Sequence, residues 1–60
     1  MARWINADGD TIETNGATYT VTKNGISNIA DISKWSSNAE KWIENDIKAG
    51  YYKNYKKVEA

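Results

Sequence analysis

Residues 3–23 read RWINADGDTIETNGATYTVTK, and this stretch decides the fold. It contains the pairs Asp8-Gly9 and Asn15-Gly16, which are typical of type I′ hairpin turns because Asx-Gly accepts positive φ at both central positions. With these pairs as turns, the stretch is a meander of three antiparallel strands. Their predicted bounds are about 2–7, 10–14 and 17–23.

The two turns also predict which side chains share a face of the sheet. Ile5 is expected opposite Ile12, and Ile12 opposite Tyr19, which gives one apolar row. Trp4 is expected opposite Glu13 on a polar face that also carries Thr18 and Thr20. One apolar and one polar face is the pattern of an antiparallel sheet with one solvated side.

After Asn24-Gly25 the apolar spacing changes from two residues to three or four. This spacing continues from Ile26 to Tyr51 and is typical of amphipathic helices. The polar cluster Ser36-Ser37-Asn38 interrupts the pattern, so two short helices at about 26–35 and 38–49 are predicted, with one long helix as the alternative. Trp35 and Trp42 lie seven residues apart on the same stripe and are expected in the core.

Residues 51–58 are either an edge strand whose lysines protect the edge or a tail. The predicted fold class is therefore α+β, with the meander followed by two helices packed on one face. At 60 residues the chain is expected to form a single domain, 1–60.

The composition argues against catalysis and against a metal site. The chain has no histidine and no cysteine, which removes the commonest general base and the commonest zinc ligands. The acidic stretch 8–13 lacks the ligand spacing of a calcium loop and is better explained as a turn with a polar rim. We therefore expect a non-enzyme without metal or cofactor.

The formal net charge is zero, so the overall electrostatics does not favour nucleic acid or an anionic membrane. The segment from Gly50 to Lys57 is locally basic and aromatic and keeps nucleic-acid binding as a less favoured alternative. No apolar run is long enough for a membrane span, and residues 1–6 do not resemble a signal peptide. A cytoplasmic protein is expected, in the host cytoplasm if it is phage-encoded, since the composition resembles that of small phage proteins from AT-rich genomes.

Part of the chain resembles the opening of a LysM domain. The resemblance rests on Tyr19-Thr20-Val21, on Asn24-Gly25, on the segment 26–30 and on Asn45-Asp46-Ile47. It implies a βααβ module that binds N-acetylglucosamine polymers such as peptidoglycan or chitin. No binding residue is assigned from it.

The main functional hypothesis is a small protein-binding protein, for example a phage-encoded inhibitor of a host enzyme or defence system. Trp4 is the leading contact residue because the turn-derived register leaves it on the polar face, although a bulge could turn it inward. A homodimer that buries the first strand or the helical stripe is also expected. The candidate partner-binding residues are Trp4, Glu13, Thr18, Tyr51, Tyr52, Tyr55, Lys53 and Lys56.

Overall fold

The computed structural model describes residues 1–58, which form one five-stranded antiparallel sheet and one helix. The elements are β1 (Arg3–Ile5), β2 (Thr11–Asn15), β3 (Thr18–Lys23), β4 (Ile26–Asp31), α1 (Ala39–Lys48) and β5 (Lys56–Val58). The order of the strands across the sheet is β4-β3-β2-β1-β5, so β1 lies inside the sheet and β4 and β5 are its edges.

The β1–β2 connection is a loop organised by one side chain, that of Asn6. Its Oδ1 accepts hydrogen bonds from the backbone N–H groups of Asp8 (3.0 Å) and Asp10 (2.9 Å), and its Nδ2 donates to the Asp10 carboxylate (3.2 Å). Only Gly9 has a positive φ here, so Asp8-Gly9 does not form the type I′ turn that the sequence predicts. The longer loop shifts the register of β1 by one residue.

This shift overturns the predicted facing of the first strand. Trp4 lies opposite Ile12, and Arg3, in place of Trp4, lies opposite Glu13. Because successive side chains in a strand point to opposite faces, a slip of one residue exchanges the two faces. Trp4 therefore points into the core, where it is only 2% exposed, and Ile5 belongs to the other face.

The β2–β3 hairpin turns at Gly16-Ala17 rather than at Asn15-Gly16. Asn15 pairs with Thr18, and Gly16, the first residue of the two-residue loop, has φ +61°, as a type II′ turn requires. Ile12 consequently lies opposite Val21 and not opposite Tyr19. This displacement is by two residues, so the predicted faces of β3 are retained.

The third hairpin, at Asn24-Gly25, overturns the predicted fold class. Asn24 (φ +53°) and Gly25 (φ +78°) are both left-handed, which is the type I′ geometry, and Lys23 pairs with Ile26 across them. Residues 26–31 thus continue as β4, and residues 33–35 form a turn, so the expected helix at about 26–35 is absent. The described residues 1–58 thus form a β-rich fold with five strands and a single helix, not a three-stranded meander with two helices.

The helix α1 covers one face of the sheet and packs over β2. Asn38 caps it, because its Oδ1 accepts a hydrogen bond from the N–H of Lys41 (3.1 Å), and Gly50 follows its end with φ +95°. Among residues 1–58 no helix is long and apolar enough to cross a bilayer. The core between helix and sheet contains Ala2, Trp4, Ile12 and Ile43, with Tyr19, Val21, Trp42, Ile47, Tyr52 and Tyr55 packed around it.

The C-terminal segment combines turns with a short strand. Residues 51–54 form turns, and β5 then pairs with β1, with Trp4 opposite Lys57. The edge-strand alternative is the one found for residues 56–58. On the helix side of the sheet, Lys57 Nζ contacts Glu40 Oε2 (2.7 Å) and Glu44 Oε2 (2.8 Å), which joins β5 to α1.

Candidate protein-binding surface

The edge strand β4 is the least covered element of the sheet. Every residue in it is exposed except Ala30, which is half-buried. Ile26 (65% exposed) and Ile29 (75% exposed) point to opposite faces, because they are three positions apart in an extended strand and the side chains alternate at every position. Both faces of β4 therefore present an isoleucine to solvent.

The two edges of the sheet differ in how they discourage pairing with another chain. β5 is three residues long and carries Lys56 and Lys57, which are features that protect an edge. β4 is six residues long, contains no lysine or proline, and has Asp31 at its end as its only charged side chain. Such an edge is open to the addition of another strand.

The N–H and C=O groups of successive residues in β4 point alternately toward β3 and toward solvent. In the two-residue hairpin at Asn24-Gly25, Lys23 and Ile26 form the hydrogen-bonded pair, so Ile26, Asn28 and Ala30 direct their N–H and C=O groups to β3. The N–H of Ile32 continues this alternation by donating to Ala17 O (2.9 Å). The N–H and C=O groups of Ser27, Ile29 and Asp31 consequently point away from the sheet.

A second feature, which we call the tryptophan pair, consists of Trp35 and Trp42. Their ring centroids lie 6.5 Å apart with the planes tilted by 37°. Trp35 is 69% exposed, whereas Trp42 is half-buried against the core. The N–H of Trp35 donates to Ile32 O (2.8 Å), so its backbone is fixed in the turn that follows β4.

The residues expected on a polar contact face are separated by the sheet. Trp4 is buried against the helix, so the exposed tryptophan expected there is absent. Glu13 and Thr18 lie on the opposite, uncovered face, where Glu13 is exposed and Thr18 Oγ1 donates to Asn15 O (2.9 Å). Trp4 thus does not share a surface with Glu13 and Thr18.

The Tyr/Lys segment is also divided. Tyr51 (77% exposed), Lys53 and Lys56 face solvent, whereas the rings of Tyr52 and Tyr55 pack edge to face at 5.6 Å. Burial raises the pKa of Tyr52, and the neighbouring Tyr19 adds to this rise. Burial also raises the pKa of Tyr55, with the carboxylates of Asp10 and Asp8 as further causes.

Lys57 is occupied by contacts within the chain. Its hydrogen bonds to Glu40 and Glu44 raise the pKa of Lys57, and the same contact with Lys57 lowers the pKa of Glu40. Its Nζ also lies 5.5 Å from the centre of the Trp4 ring, within cation–π range. An open cleft of about 420 Å³ lies here, lined by Trp4, Glu44, Ile47, Lys48, Tyr55 and Lys57. The charge of the Lys57 ammonium is thus balanced by the carboxylates of Glu40 and Glu44. A lysine that binds a nucleic-acid phosphate would instead direct its ammonium toward solvent.

Sequence reasoning missed the most exposed apolar residues of the β4 region. The helical spacing predicts that Ile26, Ile29 and Trp35 are buried, yet each is more than 60% exposed. The signal that could have identified them is Asn24-Gly25, which is the same kind of dipeptide that predicted the first two turns. It marks a hairpin, and the spacing of Ile26 and Ile29 then places them on opposite faces.

The segment 26–30, in which the LysM resemblance implies a helix, lies in β4. Comparison of the chain with protein-family models, with curated proteins and with solved structures finds no match. The exposed apolar side chains of β4 and the tryptophan pair are the candidate protein-binding surface.

Proposed function

We propose that this protein is a non-catalytic binding protein that captures a larger protein through the tryptophan pair. The observation that carries the proposal is the position of Trp35, a large aromatic side chain that is 69% exposed but rests on a second indole. Tryptophan is enriched among the residues that dominate protein–protein binding energy. The conformational entropy that a tryptophan side chain loses on binding is small when another side chain already holds it in place.

The mode of action is occupation of a partner's surface. The composition resembles that of small phage proteins, so the form of this function to test first is inhibition of a host enzyme or defence system in the host cytoplasm. The half-buried Trp42 would support Trp35 from the helix side, while the turn at residues 33–35 presents the indole to the partner.

The test compares two variants that lose exposed aromatic side chains of similar accessibility. Trp35→Ser removes the proposed contact, and Tyr51→Ser is the matched control because Tyr51 is 77% exposed and lies outside the tryptophan pair. Immobilised wild-type protein is used to capture partners from a bacterial host lysate, and the captured protein is identified and titrated. We expect Trp35→Ser to weaken its binding by about 30-fold or more, as for an interface hot spot.

Circular dichroism and urea unfolding of both variants establish that they are folded before binding is compared. Equal binding by Trp35→Ser and wild type would contradict the proposal. Two results obtained without any protein partner would replace the proposed function by an alternative one. Retention of the wild-type protein on chitin or peptidoglycan would indicate glycan binding, and salt-dependent binding to nucleic acid would indicate a nucleic-acid-binding protein.

A further inference from the structure

We infer that the free edge of β4 pairs with β4 of a second copy of this chain, forming an antiparallel dimer with its two-fold axis at Ile29. The inference goes beyond the proposed function and uses different residues, because the tryptophan pair takes no part in it. It also uses a different surface from the two expected for a dimer: within residues 1–58, β1 lies inside the sheet, and residues 26–31 of the expected helical stripe form a strand.

The backbone determines the register of such a pairing. The outward-facing N–H and C=O groups belong to Ser27, Ile29 and Asp31, and residues that exchange both hydrogen bonds lie directly opposite each other. Only one antiparallel register uses all three residues on both chains. This register pairs Ile29 with Ile29 of the second copy, and Ser27 of each copy with Asp31 of the other. A shift of two residues in either direction leaves one of the three residues on each chain unpaired.

The side chains fit the same register. Ile29, which is 75% exposed, meets its own copy on the uncovered face of the sheet, so each isoleucine is removed from water by the other. Asp31 lies opposite the hydroxyl of Ser27, which can donate a hydrogen bond to a carboxylate. On the helix-covered face, Asn28 lies opposite the small side chain of Ala30.

Repulsion between the two Asp31 carboxylates favours the antiparallel pairing over a parallel one. In the antiparallel register the two Asp31 residues are four positions apart along the strands, about 13 Å, which exceeds the Debye length at physiological ionic strength. Parallel in-register pairing would place the two carboxylates side by side. A second copy is therefore a self-complementary partner for β4, and the product is a continuous ten-stranded sheet.

The first experiment measures mass in solution by light scattering. At ~100 μM, a range in which modest dimers form, the weight-average mass of the wild-type protein should rise above the 6.8 kDa of one chain toward twice that value. Ile29→Lys places two ammonium groups opposite each other and should weaken dimerisation by about 100-fold or more. Tyr51→Lys makes the same change at an exposed apolar residue away from β4 and should remain dimeric.

The second experiment tests the register and does not depend on the lysine variant folding. The chain has no cysteine, so Ile29→Cys and Ile26→Cys each introduce one thiol for a short bis-maleimide cross-linker. Cys at position 29 should cross-link rapidly, since paired Cα atoms lie ~5.5 Å apart, whereas the two copies of position 26 are separated by about 20 Å.

Three results would overturn the inference. They are a monomeric wild-type protein at this concentration, a dimer that persists in Ile29→Lys, and cross-linking at position 26 that equals that at position 29. Trp35→Ser should dimerise like wild type, so failure of the dimer and failure of partner capture are separate outcomes.

Discussion

Trp4 lies directly opposite Ile12 across the β1–β2 ladder, and both side chains are buried under α1. This relationship makes Trp4 the largest side chain of the core, where it is 2% exposed. Truncation of Trp4 and truncation of Trp35 should therefore differ in their cost to stability, since Trp35, by contrast, is 69% exposed.

Trp4→Ala should destabilise the protein by about 3–5 kcal/mol, because it removes a buried aromatic side chain and leaves a cavity. Trp35→Ala should cost no more than about 1 kcal/mol, since it loses mainly the contact with Trp42. Urea unfolding followed by circular dichroism measures both. A Trp4→Ala variant as stable as wild type would show that this indole is not in the core.

The Gly25→Ala variant tests the third hairpin. Gly25 has φ +78°, and a Cβ there meets no atom within 4 Å, so the penalty is conformational rather than steric contact with a neighbour. We expect a loss of about 1–2 kcal/mol in the free energy of unfolding. Asn24→Gly is the control and should be tolerated, because glycine adopts the φ of +53° found at Asn24 without strain. If Gly25→Ala were as stable as wild type, the type I′ turn would be wrong.

The contact between Lys57 and Glu40 predicts how stability changes at acidic pH. The pKa of Glu40 is lowered in the folded state by its hydrogen bond from Lys57, so the stabilisation is present above the ordinary pKa of glutamate. It is lost as the pH falls through the lowered pKa of the folded state. Glu40→Gln should therefore have a smaller decrease in urea midpoint between pH 7 and pH 3 than wild type.

At alkaline pH the stability should change in the opposite direction, decreasing as the pH rises. The pKa of Lys57 is raised by Glu40 and Glu44, so its contribution is present below the ordinary pKa of lysine and is lost as the pH rises through the raised value. Lys57→Met should remove this dependence, and Lys53→Met, at an exposed lysine in the turn before β5, is the control. An unchanged pH profile in Lys57→Met would show that the ion pairs do not hold β5 to the helix.

Individual elements of the fold, although not its class, follow from local sequence signals. The alternation in residues 17–23 predicts β3, and the second helix, expected at 38–49, is α1 at Ala39–Lys48. Connections near Gly9 and Gly16 were also predictable, but the first is a longer loop and the second turns at Gly16-Ala17 instead of Asn15-Gly16. These features depend on residues close together in the chain, where turn chemistry and capping act directly.

The registers could not be obtained in the same way, and for β4 the local turn signal of Asn24-Gly25 competes with a helix-like spacing of apolar residues. The side chain of Asn6 replaces a two-residue turn by a longer loop, and this one-residue change decides whether Trp4 is buried. For β4, the spacing of Ile26, Ile29 and Ile32 fits a helical stripe as well as a strand with exposed residues on both faces. Periodicity assumes that apolar residues are buried, and it fails where an edge strand leaves them exposed.

Amide hydrogen exchange in β4 tests the central claim, that residues 26–31 are an open edge strand which pairs with a second copy. At ~10 μM, where a modest dimer dissociates, Asn28 and Ala30 should exchange slowly and Ser27, Ile29 and Asp31 rapidly. At ~1 mM, where it associates, the last three should also become protected. Continuous protection from residue 26 to 35 at both concentrations would indicate a helix, and rapid exchange of Ile29 at the higher concentration would contradict the pairing.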